Sequence, residues 1–281
     1  MVVNGNPSRG DVYLVKAEIV TIGTEVVIGL VVNTNATWLA QRLTSMGFTV
    51  TRVVTVRDEI DEIATAVKEA CERARLVVVT GGLGPTEDDI TAQAVAKAFG
   101  LKATLNKEAE EMVKRRYEEL WKSGKVKTPR LTRERVKMAV IPEGSKPIFN
   151  RVGTAPGILL RVCNSVILCL PGVPEEMKVM FEDVKPILQE MAGKKVSLSI
   201  TLYTDATDES SIAPVISEVS RLYPGVYVKS RARHKGGLPI SVVACAGSEK
   251  ECKLLLDKVV KELSMRLEKA GVKVKQDKPN S

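Results

Sequence analysis

The run Leu76–Gly100, LVVVTGGLGPTEDDITAQAVAKAFG, limits the fold of this chain more than any other stretch. Leu76-Val77-Val78-Val79 has the length and largely β-branched composition of a fully buried strand. Gly81, Gly82 and Gly84, three glycines in four positions, then break the chain ahead of Pro85. Beyond them Ile90, Ala94, Val95, Ala98 and Phe99 recur at helical spacing, and Gly100 supplies a stop. Strand, glycine-rich turn and helix form the unit of a parallel α/β protein, in which ligands gather beyond the carboxyl ends of the strands.

Glycines at such a turn let backbone N–H groups approach an anion closely, because no Cβ stands in the way. The following helix adds a positive end that favours phosphate or carboxylate. Glu87, Asp88 and Asp89 crowd that same end. Helix capping explains acids in a first turn. Three in a row exceed what a cap needs, and carboxylate oxygens beside a phosphate cradle suit a divalent metal bridging to that phosphate.

The rest of the first 190 residues repeats the unit. A polar leader over residues 1–15, with Asn4-Gly5-Asn6-Pro7, precedes a strand ending at Ile22 and the turn Gly23-Thr24-Glu25. Asn35 is placed to cap a helix that shows Leu39, Leu43 and Met46 on one face and closes at Gly47. The strand Thr49–Val54 runs into Arg57-Asp58-Glu59, and Asp61 is placed to cap the next helix. The order β-α-β-α-β-α argues for a parallel sheet with helices on both faces, so Glu25, Asp58 and Asp89 all lie just past strand ends. Parallel strands bring those ends to one edge, where the three acids can converge. Alternatively, they are ordinary solvated loop acids.

Charged helices follow at Asn106–Lys122 and Thr132–Ala139, then strands at Ile158–Arg161 and Asn164–Leu170. The second of these strands ends in Leu170-Pro171-Gly172-Val173-Pro174, with Glu175 and Glu176 opening a helix. It offers a second set of amides and acids at the same edge. Met191–Lys195 reads as a linker. Beyond it, residues 195–272 read as a small β-α-β-β-α domain, with a basic loop at Lys229–Gly237 and a frayed tail from Lys273.

Composition narrows the classes. The formal net charge of +8 could serve nucleic acid, but the 42 basic residues are dispersed and aromatic residues make up only 4%. A stacking platform is therefore poorly supplied and nucleic acid is not expected, although the Arg231–Lys235 loop keeps it as an outside reading. Five cysteines, an odd number without a C-x-x-C pair, read as buried free thiols of a reducing compartment. A single histidine, His234, excludes a His-based metal site. No run has the length of a membrane span and no signal-peptide core opens the chain, so a cytoplasmic protein is expected.

Four runs occur in order: Ala17–Glu25 (AEIVTIGTE), Val31–Ala36 (VVNTNA), Gly81–Thr91 (GGLGPTEDDIT) and Leu170–Met177 (LPGVPEEM). Together they resemble the molybdopterin-binding (MoaB/Mog) fold family, and more closely the N-terminal part of the competence-damage-inducible CinA proteins. The likeness spans about Lys16 to Leu188 and, more loosely, the small domain. It implies a three-layer α/β domain with a sheet-edge pocket for a phosphorylated pterin or a nucleotide, and a homo-oligomer by analogy. In the family's adenylyltransferases, acids matching Asp58 and Asp89 line the active site. CinA-type domains are associated with metal-dependent hydrolysis of the pyrophosphate of ADP-ribose. Longer CinA proteins continue into a nicotinamide-mononucleotide deamidase domain, an activity not expected here.

The expected site therefore has Asp89, Asp58 and Glu25 as catalytic acids. Gly81, Gly82, Gly84, Thr91 and Gly172 would hold the phosphates. Asp89, Asp58 and Glu176 would hold Mg²⁺, Mn²⁺ or Co²⁺. Adenylyl transfer to molybdopterin, or a non-catalytic nucleotide- or pterin-binding module, are the alternatives.

Overall fold

The computed structural model describes residues 15–193, 195–231 and 237–276. The leader over residues 1–14, residues 232–236 of the basic loop with His234, and the tail over residues 277–281 lie outside the described residues. The chain divides into two compact units, the first comprising the residues up to Leu188 except Ser45–Gly47, and the second comprising Ser45–Gly47 and the residues from Gln189 onward.

The first unit opens with β1 (Lys16–Ile22), α1 (Thr24–Val27), α2 (Thr34–Ser45), β2 (Thr49–Val56), α3 (Ile60–Arg73), β3 (Leu76–Thr80) and α4 (Thr91–Ala98). It continues with β4 (Ala103–Leu105), α5 (Lys107–Lys122), α6 (Arg133–Lys137), β5 (Val140–Pro142), β6 (Lys146–Ile148), β7 (Gly157–Val162), β8 (Ser165–Leu170) and α7 (Pro174–Met191). The main sheet runs β2-β1-β3-β8-β7-β6. Its first four strands are mutually parallel, and β7 and β6 are antiparallel additions. β3 and β8 are buried at every position, as expected of near-continuous apolar runs covered on both faces.

Alternation along the strands separates two apolar layers. Val20, Ile22, Val77 and Val79 pack with Ile63 and Val67 of α3 and Ala94 and Val95 of α4. Thr80 points to the other face, where it meets Asn35 of α2. There Trp38 of α2 stands edge-on to the buried Phe181 of α7, with ring centroids 5.4 Å apart.

Two capping expectations are corrected. Asn33, not Asn35, caps α2: its Oδ1 accepts from the Ala36 N–H at 3.0 Å. Its amide also donates to Thr21 and Thr55, which ties the helix start to the ends of β1 and β2. α3 starts at Ile60, one residue before Asp61, which pairs with Lys97 of α4 instead of capping. The three-residue strands β4, β5 and β6 fall where no periodicity can show.

Glu18 is 1% exposed on β1 and carries a charge that hydropathy patterning does not reveal. Both its oxygens accept from Arg73 of α3, from Nε and Nη2 at 2.9 Å each. The two partners are unequally placed, because Arg73 reaches solvent and Glu18 does not.

The second unit comprises β9 (Val196–Thr204), α8 (Glu209–Leu222), β10 (Val226–Ser230), β11 (Pro239–Ala246), α9 (Glu249–Lys269) and β12 (Val274–Gln276). Its antiparallel sheet runs β10-β11-β9-β12 over its own core, which includes Leu202, Ile212, Ile240, Val242, Val259 and Leu263. β12 lies in the segment read as a frayed tail. It is held because Val274 pairs with Thr204 at the end of β9. No helix among the described residues is long and apolar enough to cross a membrane.

The cysteines are free, but not uniformly buried: Cys169 and Cys252 are buried, Cys71 and Cys245 half-buried, and Cys163 exposed in the β7–β8 turn. Burial pushes the Cys71 and Cys169 thiols up to about 12. Both stay protonated across the neutral range, and only a thiolate attacks an alkylating agent. Peptide mapping after iodoacetamide treatment at pH 8 is expected to find Cys163 modified and Cys169 unmodified until denaturant is added. For the ion pair, Arg73→Leu leaves a buried carboxylate unpaired, whereas Glu18→Leu leaves a guanidinium that can hydrate. Urea midpoints should therefore fall further for Arg73→Leu than for Glu18→Leu.

Candidate functional site

The expected site residues all leave the carboxyl edge of neighbouring parallel strands. Glu25 follows β1, Asp58 follows β2, the turn Gly81–Asp89 follows β3, and Gly172 and Glu176 follow β8. Hydrogen bonds join these loops across the edge. Gly23 N–H donates to Val56 O at 3.1 Å, and Gly81 N–H donates to Leu170 O at 3.0 Å. The Thr80 hydroxyl donates to Pro171 O at 2.9 Å. Asn35 Nδ2 donates to Gly172 O at 2.7 Å, so Asn35 braces the β8 loop.

The glycines have a packing reason that precedes any ligand. Gly81 sits at φ +113° with its open face on Ile22 O, and Gly82 sits at φ +64° against the Thr91 hydroxyl. A Cβ on either would overlap those atoms. A Cβ on Gly84 would lie 2.7 Å from Asp89 Oδ2. Gly81's amide is already spent on Leu170, whereas the amides of Gly82, Leu83 and Gly84 donate to no protein group among the described residues. Thr91, fully buried, fastens the turn by donating its hydroxyl to Gly81 O at 2.8 Å and its N–H to Gly82 O at 3.1 Å.

Each acid is tied to a loop of its own. Asp58 Oδ2 accepts from the Thr24 N–H at 2.7 Å and hydroxyl at 2.9 Å. Asp89 Oδ2 accepts from the Thr86 N–H at 2.9 Å and hydroxyl at 2.6 Å, which leaves Oδ1 outside that ring. Glu176 Oε2 accepts from Nδ2 of the buried Asn150 at 2.7 Å. Among the described residues, no three His, Cys, Asp or Glu side chains gather closely enough to hold a metal ion. Asp58, Asp89 and Glu176 therefore do not gather into one three-ligand group.

Glu25 and Gly172 come together at a cleft of about 130 Å³. Thr21, Asn33, Asn35 and Thr80 give it polar walls, and Val26, Val31 and Val32 an apolar lip. Val31 is 51% exposed and Val32 80%. Asp58, Asp89 and Glu176 do not line this cleft.

Sequence reasoning missed two supports of the rim. Asn150 accepts from the Val152 and Gly153 amides at 3.1 and 2.8 Å and donates to Ala155 O at 3.0 Å, so it shapes the 150–156 loop. Arg116 of α5 donates to Gly153 O and Val152 O on the same loop. A lone asparagine in a loop gives no periodic signal.

A Cβ on Gly153 would overlap the Glu176 carboxylate, and Gly153 has no positive φ to forbid one. Gly153→Ala is expected to cost about 1–3 kcal/mol by overpacking. Adding Glu176→Ala should return part of that loss, which urea denaturation of both single variants and the double variant measures as a coupling energy.

The family model described as "Probable molybdopterin binding domain" matches residues 18–190. A protein of Pyrobaculum arsenaticum is 44% identical over 252 residues, covering 88% of this chain and 92% of that one. A protein of Aeropyrum pernix is 41% identical over 267 residues, covering 93% and 97%. The crystal structure of CinA, of unknown function, from Thermoplasma acidophilum is 38% identical with a TM-score of 0.58, covering 62% of this chain and 98% of that one. The parallel sheet, the glycine turn on its edge and the extent of the match agree: this chain belongs to the molybdopterin-binding domain family and is related in fold to CinA.

Proposed function

We propose that the rim binds a phosphorylated nucleotide or pterin, and that the chain is a pyrophosphatase hydrolysing ADP-ribose or a similar dinucleotide. The observation that carries this reading is the set of unspent amides at Gly82, Leu83 and Gly84, on the carboxyl edge of the sheet that also holds the cleft. The amides would take the diphosphate, as oriented backbone donors do at such turns. The cleft, with polar walls and an apolar lip, would take a planar ring. Charge developing on the phosphoryl oxygens would fall on preorganised N–H groups, the largest kind of contribution to such a transfer. Asp89, with Asp58 or Glu25, would accept the proton of the attacking water. A divalent ion, Mg²⁺, Mn²⁺ or Co²⁺, would enter with the diphosphate as part of the substrate.

The family's description favours a second reading, in which a pterin is the ligand and the chain is adenylyltransferase-like or a non-catalytic carrier. Thermal shift with ADP-ribose and with a pterin separates the two, since a true ligand raises the melting temperature by mass action.

Nucleotide release from ADP-ribose, with divalent metal and with chelator, tests the hydrolase reading. Asp89→Asn keeps an acceptor for Thr86 and should fold normally. It is expected to lower kcat by about a hundredfold or more if that carboxylate moves a proton. Unchanged turnover would discard Asp89 as the base, and binding without any product would favour the carrier.

A further inference from the structure

The turn that offers its amides to an anion is itself strongly negative. Glu87, Asp88 and Asp89 follow one another directly, with Glu87 and Asp88 exposed, and the acids of the rim do not assemble into a metal cage. Like charges beside the turn oppose an incoming phosphate. A fixed cation at the turn would change that balance.

The fold supplies one from about 50 residues further along the chain. Lys137, the last residue of α6, donates from Nζ to Thr86 O and lies 3.5 Å from Glu87 O. Among the described residues it is the one Lys or Arg whose hydrogen bonds reach the Gly81–Thr91 turn. Its backbone is held in place on both sides. The Thr132 side chain caps α6, and Met138 and Ala139, which follow directly, are buried under the first core. An ammonium has three donors, and two carbonyls engage at most two of them.

We propose that Lys137 is the phosphate-contacting cation of this site, an inference that rests on the reading of the turn as a phosphate cradle. Holding the Thr86 and Glu87 carbonyls, it brings a positive charge to the turn and offsets the three acids. A lysine suits this better than an arginine would. A compact charge can sit on two carbonyls and still turn a hydrogen toward a phosphate oxygen. The competing role is purely mechanical, a clasp between α6 and the turn.

Calorimetric titration of wild type, Lys137→Met and Lys137→Arg with ADP-ribose and with adenosine, over a range of NaCl concentrations, separates these roles. Lys137→Met is expected to weaken ADP-ribose binding roughly tenfold, the size of a lost charge-assisted hydrogen bond. Adenosine binding should stay the same and the salt dependence of ADP-ribose binding should flatten. Lys137→Arg should recover part of the loss. Equal weakening of both ligands would show a clasp and overturn the proposal, as would no weakening of either. If Lys137→Met does not fold, Lys137→Gln, which can still donate to Thr86 O without a charge, gives the same comparison. A wild-type protein that binds adenosine but not ADP-ribose would defeat the phosphate-cradle reading itself. That result differs from one in which wild type binds ADP-ribose and the Met variant matches it.

Discussion

Everything at the rim depends on the parallel pairing of β2, β1, β3 and β8. In that register Val79 faces Cys169 and Thr80 faces Leu170, so the two strands end together and Gly81 N–H can reach Leu170 O. A slip of one residue would turn Thr80 into the apolar layer and Val79 out of it. The contact of Thr80 with Pro171 and its meeting with Asn35 would go at the same time. Main-chain hydrogen bonds in the buried centre of the sheet thus set the geometry of loops far apart in sequence.

The acids of this edge show how one residue type can serve structure before chemistry. A loop has backbone N–H groups that no helix or ladder satisfies, and a short carboxylate can accept two donors at once. Asp58 does this for Thr24 and Asp89 for Thr86, in each case through a single oxygen. Each loop is stiffened and the other oxygen is left out of the ring. A site built in this way presents carboxylates already held in place, so little ordering remains when a ligand arrives. The same logic places Glu176 on Asn150, which organises the next loop.

Charge explains what the glycines alone do not. The turn combines free amides with three adjacent carboxylates, two tendencies that oppose each other for an anion. Lys137 touches the turn at its carbonyl side and lessens that opposition. The buried Glu18–Arg73 pair illustrates the opposite design, in which a carboxylate taken wholly out of water needs both its oxygens met by a fork.

Much of the architecture was legible in the amino-acid order, because long elements carry their own period. The valines of β3, the helical spacing after Ile90 and the alternation of strand and helix all point to a parallel sheet whose loops share an edge. The apolar content of α9 and β11 likewise marks a second unit with its own core. Only the folded chain decided how the loop residues are used. Asn33 caps and Asn35 braces, Asp61 pairs with Lys97, β12 extends a sheet instead of fraying, and Lys137 reaches the glycine turn. The physical reason is the range of the forces involved. Burial and periodicity act between near neighbours in sequence and leave a trace there. A single hydrogen bond across 34 residues, such as Asp58 to Thr24, leaves none until the sheet has closed.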